Sequence, residues 1–163
     1  FKYVSQAIKA DDTLVPAALA LAAYYKANDN QVRLAENVLM NIWKKNPTDE
    51  VAYAYINLYG DKKSKERLKR LDALINCNAL RPSLNNRLSA EISIEGGYWS
   101  KAKSEIEMFL INNPCTKKVC SMIAEIEDKF NKDKKEAKAW RNRIDSCAED
   151  SLWVCSACGA KSE

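Results

Sequence analysis

Residues 87–124 read RLSAEISIEGGYWSKAKSEIEMFLINNPCTKKVCSMIA, and their spacing decides the fold. Ala90 and Ala102 lie twelve residues apart, Pro114 follows after twelve more, and Ala124 lies 34 residues after Ala90. Small residues at such places let two antiparallel helices approach closely, and the proline ends the second helix. The stretch therefore predicts a helix pair followed by the start of another.

The same spacing occurs earlier and later in the chain. Ala23, Ala35 and Pro47 are again separated by twelve residues, and Ala124 and Ala137 by thirteen. This pattern resembles the tetratricopeptide repeat, a helix-turn-helix unit of 34 residues. The resemblance implies an all-α fold without a sheet, in which antiparallel helix pairs stack into a right-handed superhelix.

Apolar residues at three- and four-residue steps predict the individual helices. Pro16 can open the first of them because its missing N–H would be unpaired in a first turn anyway. Thr48 can cap a helix of the next pair, over residues 48–77, which lacks the second small residue and is interpreted as a degenerate repeat. Further helices are predicted at residues 82–95, 99–111, 117–130 and 134–145.

Composition limits the function classes. The 163 residues include no histidine, which excludes every mechanism that needs an imidazole. The longest weakly polar stretch, residues 15–25, is shorter than the roughly 20 residues of a membrane span. Because phosphate-binding loops and nucleophile elbows are also missing from the sequence, we expect a soluble protein that is not an enzyme.

The net charge of +4 is unevenly distributed. Residues 129–143 hold seven bases and two acids, and residues 62–70 form a second basic run. Phosphate binding needs bases gathered on one face, but surface helices are often basic and no base-stacking motif accompanies either run. We interpret both as solvated faces and expect no nucleic-acid partner.

A candidate binding groove follows from the repeat register. The first helix of each pair lines the inner face of such a superhelix, where partners usually bind. A mixed aromatic and charged set on that face suits an extended or helical peptide, although ordinary solvated surface is the alternative. The predicted groove residues are Tyr24, Tyr55, Tyr59, Arg87, Glu91, Glu125 and Asp128.

Cys155 and Cys158, followed by Gly159, form a C-x-x-C motif near the end of the chain. Two thiolates at this spacing can face one metal ion, but a tetrahedral zinc site needs four ligands. We therefore expect a repeat domain over residues 1–147 and a tail over residues 148–163 that holds half of a zinc site. An inert tail, a redox pair and a metal shared between molecules are the alternatives.

The other cysteines show no ligand spacing, and we expect reduced thiols. Cys77 and Cys120 are interpreted as small packed residues, whereas Cys115 lies in a turn and Cys147 at a helix end. Stoichiometric zinc in the chain would point to Cys147 or Cys115 as the missing ligands.

Several short motifs resemble one family. They are similar in order and spacing to the C-terminal part of the HemY-type tetratricopeptide proteins of alphaproteobacteria. The motifs are RLSAE at 87–91, GYWSKA at 97–102, CSMIAE at 120–125, AW at 139–140 and LWVCSACG at 152–159.

The resemblance implies a repeat domain on the cytoplasmic side of the bacterial inner membrane, held there by N-terminal transmembrane helices outside residues 1–163. It also implies an association with late protoheme synthesis, through protein partners such as haem-biosynthesis enzymes. We therefore expect a scaffold that docks other proteins. A lipopolysaccharide-assembly adaptor with a terminal rubredoxin-like knuckle is the second resemblance, and direct haem binding through a thiol or tyrosine is a third hypothesis.

Overall fold

The computed structural model describes residues 2–27, 31–60, 63–78, 82–149, 153–154 and 161–162. Within these ranges the chain is helical almost throughout, which confirms the all-α expectation. The described helices are α1 (Lys2–Ala10), α2 (Val15–Lys26), α3 (Val32–Lys45), α4 (Asp49–Ile56), α5 (Ser64–Cys77), α6 (Pro82–Glu95), α7 (Trp99–Leu110), α8 (Lys117–Ile126) and α9 (Lys134–Arg143).

Side-chain caps fix the starts of three helices. Thr48 accepts a hydrogen bond from the backbone N–H of Val51 at 3.5 Å before α4, as the sequence predicts. Thr116 accepts from Val119 at 3.4 Å before α8. Asp133 accepts from two backbone N–H groups in the first turn of α9, at 3.0 and 2.9 Å. Each cap satisfies donors that have no partner inside the helix.

The last helices differ in detail from the prediction. α8 continues as a π-helical segment, Glu127–Asn131, and Lys132 then adopts a left-handed conformation with φ of 57°. After α9 the chain makes a 3₁₀ turn, Ile144–Ser146. The predicted helix over residues 117–130 is therefore present, with a widened final turn.

Helix contacts follow the order of the chain. The pairs α2 and α3, α4 and α5, α6 and α7, and α8 and α9 pack together, and each pair also contacts the next. Further contacts join α2 with α4, α3 with α5, and α6 with α8. α1, which the sequence analysis did not predict, packs against α2. Contacts between near neighbours along the chain are typical of stacked helix pairs.

The alanines that the sequence places at helix crossings are buried, with one exception. Among the predicted crossing alanines, those that are buried are Ala35, Ala90, Ala102, Ala124 and Ala137. Ala23 is exposed, and Ala22 is buried instead. α2 is apolar on nearly every face, so its sequence does not fix which alanine turns inward.

Two apolar cores meet at α6. The first surrounds Trp43, whose indole N–H donates to the carbonyl of Leu74 at 2.9 Å, and it includes Leu88 and Ile92 of α6. The second includes Ala90 of α6 together with residues of α7 and α8. Because both cores use α6, this helix couples the two halves of the described chain.

A small hairpin corrects the expectation that no strands form. β1 (Trp153–Val154) pairs antiparallel with β2 (Lys161–Ser162). Cys155 and Cys158, the predicted half-site, lie outside the described residues, so that prediction stays open.

Candidate binding groove and cysteine cluster

One face of the molecule carries a line of polar contacts supplied by α4, α6 and α8. Arg87 of α6 donates to the carboxylate of Asp49 in α4, and its guanidinium also lies 3.9 Å from Glu91, one turn further on. The Arg87 side chain is only 13% exposed. Burial lowers the pKa of Arg87, but the Asp49 carboxylate raises it, and the net direction is upward. Arg87 therefore stays charged between two acids.

Glu91 continues these contacts towards α8. It accepts a hydrogen bond from the Tyr53 hydroxyl and pairs with the Lys118 ammonium at 2.7 Å. Lys118 also donates to the Tyr53 hydroxyl at 3.1 Å and lies 5.5 Å from the centre of its ring. Burial, followed by the hydrogen bond to Glu91, raises the pKa of Tyr53 well above its usual range. The phenol therefore remains a neutral donor.

These contacts form one connected set across three helices. Each member touches at least one side chain from another helix, so the set fixes the helices side by side. We call it the polar network, and it comprises Asp49, Tyr53, Arg87, Glu91 and Lys118.

A second cluster joins α3, α4 and α5. Glu36 accepts hydrogen bonds from the hydroxyls of Tyr55, at 3.1 Å, and Tyr59, at 2.7 Å. The guanidinium of Arg70 lies 4.7 Å from the centre of the Tyr59 ring. Burial, with the Glu36 carboxylate, raises the pKa of Tyr55 to about 12, and the hydrogen bond to Glu36 raises that of Tyr59. Both phenols are thereby held as donors to one carboxylate.

Four of the seven predicted groove residues belong to these two clusters. Arg87 and Glu91 come together, as the register predicts. Tyr55 and Tyr59 instead share Glu36 with each other, and Tyr55 is buried. The tyrosine of α4 that joins the polar network is Tyr53.

The remaining predicted residues lie elsewhere. Tyr24 is half exposed on α2, with its ring edge-on to Tyr25 at 5.9 Å between centres. Glu125 is exposed on α8. Asp128, in the π-helical segment, pairs with Arg141 of α9 at 3.1 Å and so helps to close the last helix pair.

Sequence reasoning missed Asp49, Tyr53 and Lys118. Asp49 contacts Arg87 and Tyr53 contacts Glu91 at one offset of 38 residues, which is four more than the 34-residue repeat spacing. The repeat spacing alone therefore does not predict these partners. Lys118 contacts Tyr53 across 65 residues, again without a sequence signal.

Three cysteines converge at the start of α8. Cys115 and Cys120 lie on either side of its first turn, and Cys147 follows the 3₁₀ turn after α9. Their Sγ atoms all lie within 4.8 Å of one another, with Cys120 fully buried and the other two partly exposed. We call this set the cysteine cluster.

Backbone pairing brings Cys147 to this position. Thr116 and Ala148 form an isolated parallel bridge, and the Lys117 N–H donates to the Ala148 carbonyl at 2.9 Å. The Lys117 ammonium pairs with Glu149 at 2.6 Å. Residues on both sides of the predicted domain boundary are therefore attached to the start of α8.

The cluster changes the interpretation of these cysteines. The Cys120 sulfur contacts both Cys115 and Cys147. One sulfur can form a single disulfide, so at most one of the two pairs is bridged, and the third cysteine keeps its thiol. Three converging sulfurs are also compatible with a metal site. Cys120 is buried as predicted, but its neighbours make it more than a packing residue.

Within the part of the chain that the structure describes, no helix combines the length and apolarity needed to cross a membrane. No family model matches the chain, and no solved structure matches it.

The chain is similar to a protein of Magnetospirillum gryphiswaldense named probable magnetosome protein Mms48. The two are 27% identical over 154 residues, which is 94% of this chain and 34% of the relative. The chain thus spans about a third of the length of the curated relative that it matches.

Proposed function

We propose that the chain is a non-catalytic protein-binding scaffold of tetratricopeptide-like helix pairs, and that a partner segment binds on the face formed by α4, α6 and α8. The polar network is the observation that carries this proposal. Its side chains come from the first helices of successive pairs and contact one another across that face. A repeat scaffold that binds in its inner groove needs this arrangement.

The exposure of the network suits peptide binding. Arg87 is largely enclosed, but the side chains of Asp49 and Lys118 are 40% and 37% exposed. Exposed ion pairs contribute only about 0–1 kcal/mol to stability, because water competes for each charge. A partner that covers the face removes this water and strengthens its own polar contacts there. The face thus offers partly exposed charged side chains to a peptide.

Two similarities suggest which partners to test first. The HemY-type motifs between residues 87 and 159 favour late haem-synthesis enzymes at the inner membrane. The name of the relative from Magnetospirillum gryphiswaldense adds magnetosome proteins.

Binding of labelled peptides, measured by fluorescence anisotropy, tests the proposal. Overlapping peptides from late haem-synthesis enzymes and magnetosome proteins provide the probes. Lys118→Ala should weaken a bound peptide about tenfold, the loss expected for one well-placed contact. The variant leaves the contacts of Tyr53 with Glu91 and of Asp49 with Arg87 in place, so the fold should survive.

Lys138→Ala is the matched control, since it removes the same charge from an exposed position of α9. If both variants weaken peptide binding equally, the loss reflects only the net charge of the protein, and the proposal of a binding groove is wrong. Haemin titration, followed at the Soret band, tests the alternative that the chain binds haem directly. A stoichiometric shift of the Soret band, without any peptide binding, would show that the chain binds haem and is not a peptide-binding scaffold.

A further inference from the structure

The cysteine cluster is not needed for a peptide-binding face and requires its own explanation. Cys115 and Cys120, 5 residues apart, meet across the first turn of α8, but Cys147 is 27 residues beyond Cys120, so its approach is a product of the fold. Cys77, on α5, contacts none of the three and is a free thiol.

A disulfide accounts for only part of this geometry. Cys120 touches both neighbours, and any one bridge leaves the third sulfur beside it without a covalent role. A metal ion uses all three sulfurs in the same way. We propose that Cys115, Cys120 and Cys147 bind one Zn²⁺ as thiolates.

The convergence of three sulfurs at one point suits this ion. Zinc–sulfur bonds are about 2.3 Å long, which places the sulfurs of a tetrahedral site about 3.8 Å apart. Cys120 is in disulfide contact with both neighbours, and all three Sγ atoms lie within 4.8 Å of one another. Side-chain rotations that move the sulfurs apart would therefore place them at three corners of the tetrahedron. Cys115 and Cys147 are partly exposed, which leaves the fourth corner accessible from the surface.

The local charge also favours thiolates. Cys115 and Cys120 flank the N-terminal turn of α8, where the backbone N–H groups give the helix a partial positive charge. Cysteines bind metal only as thiolates, and positive surroundings of this kind stabilise that form. The positive end of α8 thus offsets part of the charge that three thiolates bring.

The metal would have a structural role. Cys115 precedes α8 and Cys147 follows α9, so one ion bridges both ends of the last helix pair. Metal binding then adds directly to the stability of that pair. None of the three cysteines belongs to the polar network, so the proposal does not depend on the peptide-binding function.

Metal analysis of the full chain tests the site. Protein purified without chelator should contain about one zinc per chain, measured by mass spectrometry. Cys120→Ser should remove the zinc, and Cys77→Ser, the matched control, should retain it. Replacement of zinc by Co²⁺ should give the charge-transfer and d–d absorption of tetrahedral cobalt with thiolate ligands.

The C-x-x-C motif supplies the decisive comparison. A Cys155→Ser, Cys158→Ser double variant should keep its zinc. Loss of zinc in that variant, with retention in Cys120→Ser, would assign the metal to the tail and overturn the proposal.

A second measurement avoids variants that fail to fold. Unfolding the wild-type chain with a chelator and a thiol reagent, without reductant, should release zinc and modify all six cysteines. A metal-free chain with Cys120 in a disulfide, found by peptide mapping, would show that the cluster is a redox pair instead.

Discussion

Ala102→Leu is expected to destabilise the protein by about 1–3 kcal/mol through overpacking. Ala102 has no exposed surface and lies on α7 in the second core, beside Ile106 and Phe109. Ala90 of α6, the opposing small residue, is equally buried. Three additional carbon atoms therefore enter a space that two helices already fill, and either the helices separate or side chains leave their preferred rotamers.

Urea unfolding followed by circular dichroism measures the effect. The midpoint should fall while the slope of the transition stays constant, and thermal scans should lose roughly 2–4 °C per kcal/mol. Ala73→Leu is the matched control, because Ala73 is exposed on α5 and the same change there should stay within about 0.5 kcal/mol. Equal stability of the two variants would refute the close approach of α6 and α7.

Three further predictions concern single residues. Trp43→Phe should lower the free energy of unfolding, measured in urea, by about 1–3 kcal/mol, since it removes the hydrogen bond to Leu74 and leaves a cavity. Trp140→Phe, at a partly exposed site, should lower the free energy of unfolding by less. Gly97→Ala should lower the unfolding free energy by about 1–2 kcal/mol, because φ is +72°, a backbone conformation that alanine disfavours. No neighbour obstructs the new methyl group, so the whole loss comes from this backbone strain. An unchanged melting temperature would contradict the prediction. Tyr55 keeps its proton in the folded chain up to a pKa of about 12, above the usual value near 10, so its stabilising contribution is complete below about pH 10 and is lost as pH rises towards 12. Tyr55→Phe should therefore lose less stability than the wild type between about pH 10 and 12, and parallel losses would refute the assignment.

Much of the helical architecture was predictable because small residues and prolines mark helix crossings and ends. Ala90, Ala102 and Ala124 are buried where the 34-residue spacing places them. The register failed at Ala23, because a helix that is apolar on nearly all sides has no preferred inward face. α1 was missed, since no alanine–proline spacing marks it.

The candidate sites were less accessible to sequence reasoning. Arg87 and Glu91 were found from their register, but their partners on α4 lie 38 residues away, an offset that the 34-residue repeat spacing does not predict. The cysteine cluster has no sequence signal either. Cys147 reaches Cys120 through the backbone pairing of Thr116 with Ala148, which is a property of tertiary structure.

The two proposed sites meet in the first turn of α8. Lys118 lies between Cys115 and Cys120 in sequence, and the residue before it is held by the carbonyl of Ala148. Whatever fixes the cysteine cluster therefore fixes the backbone that carries the ammonium to Glu91 and Tyr53. Zinc there would reduce the motion that a partner must otherwise arrest on binding, and less of the binding free energy would be lost to ordering. A structural metal at the start of α8 would in this way support a binding face to which its ligands do not belong.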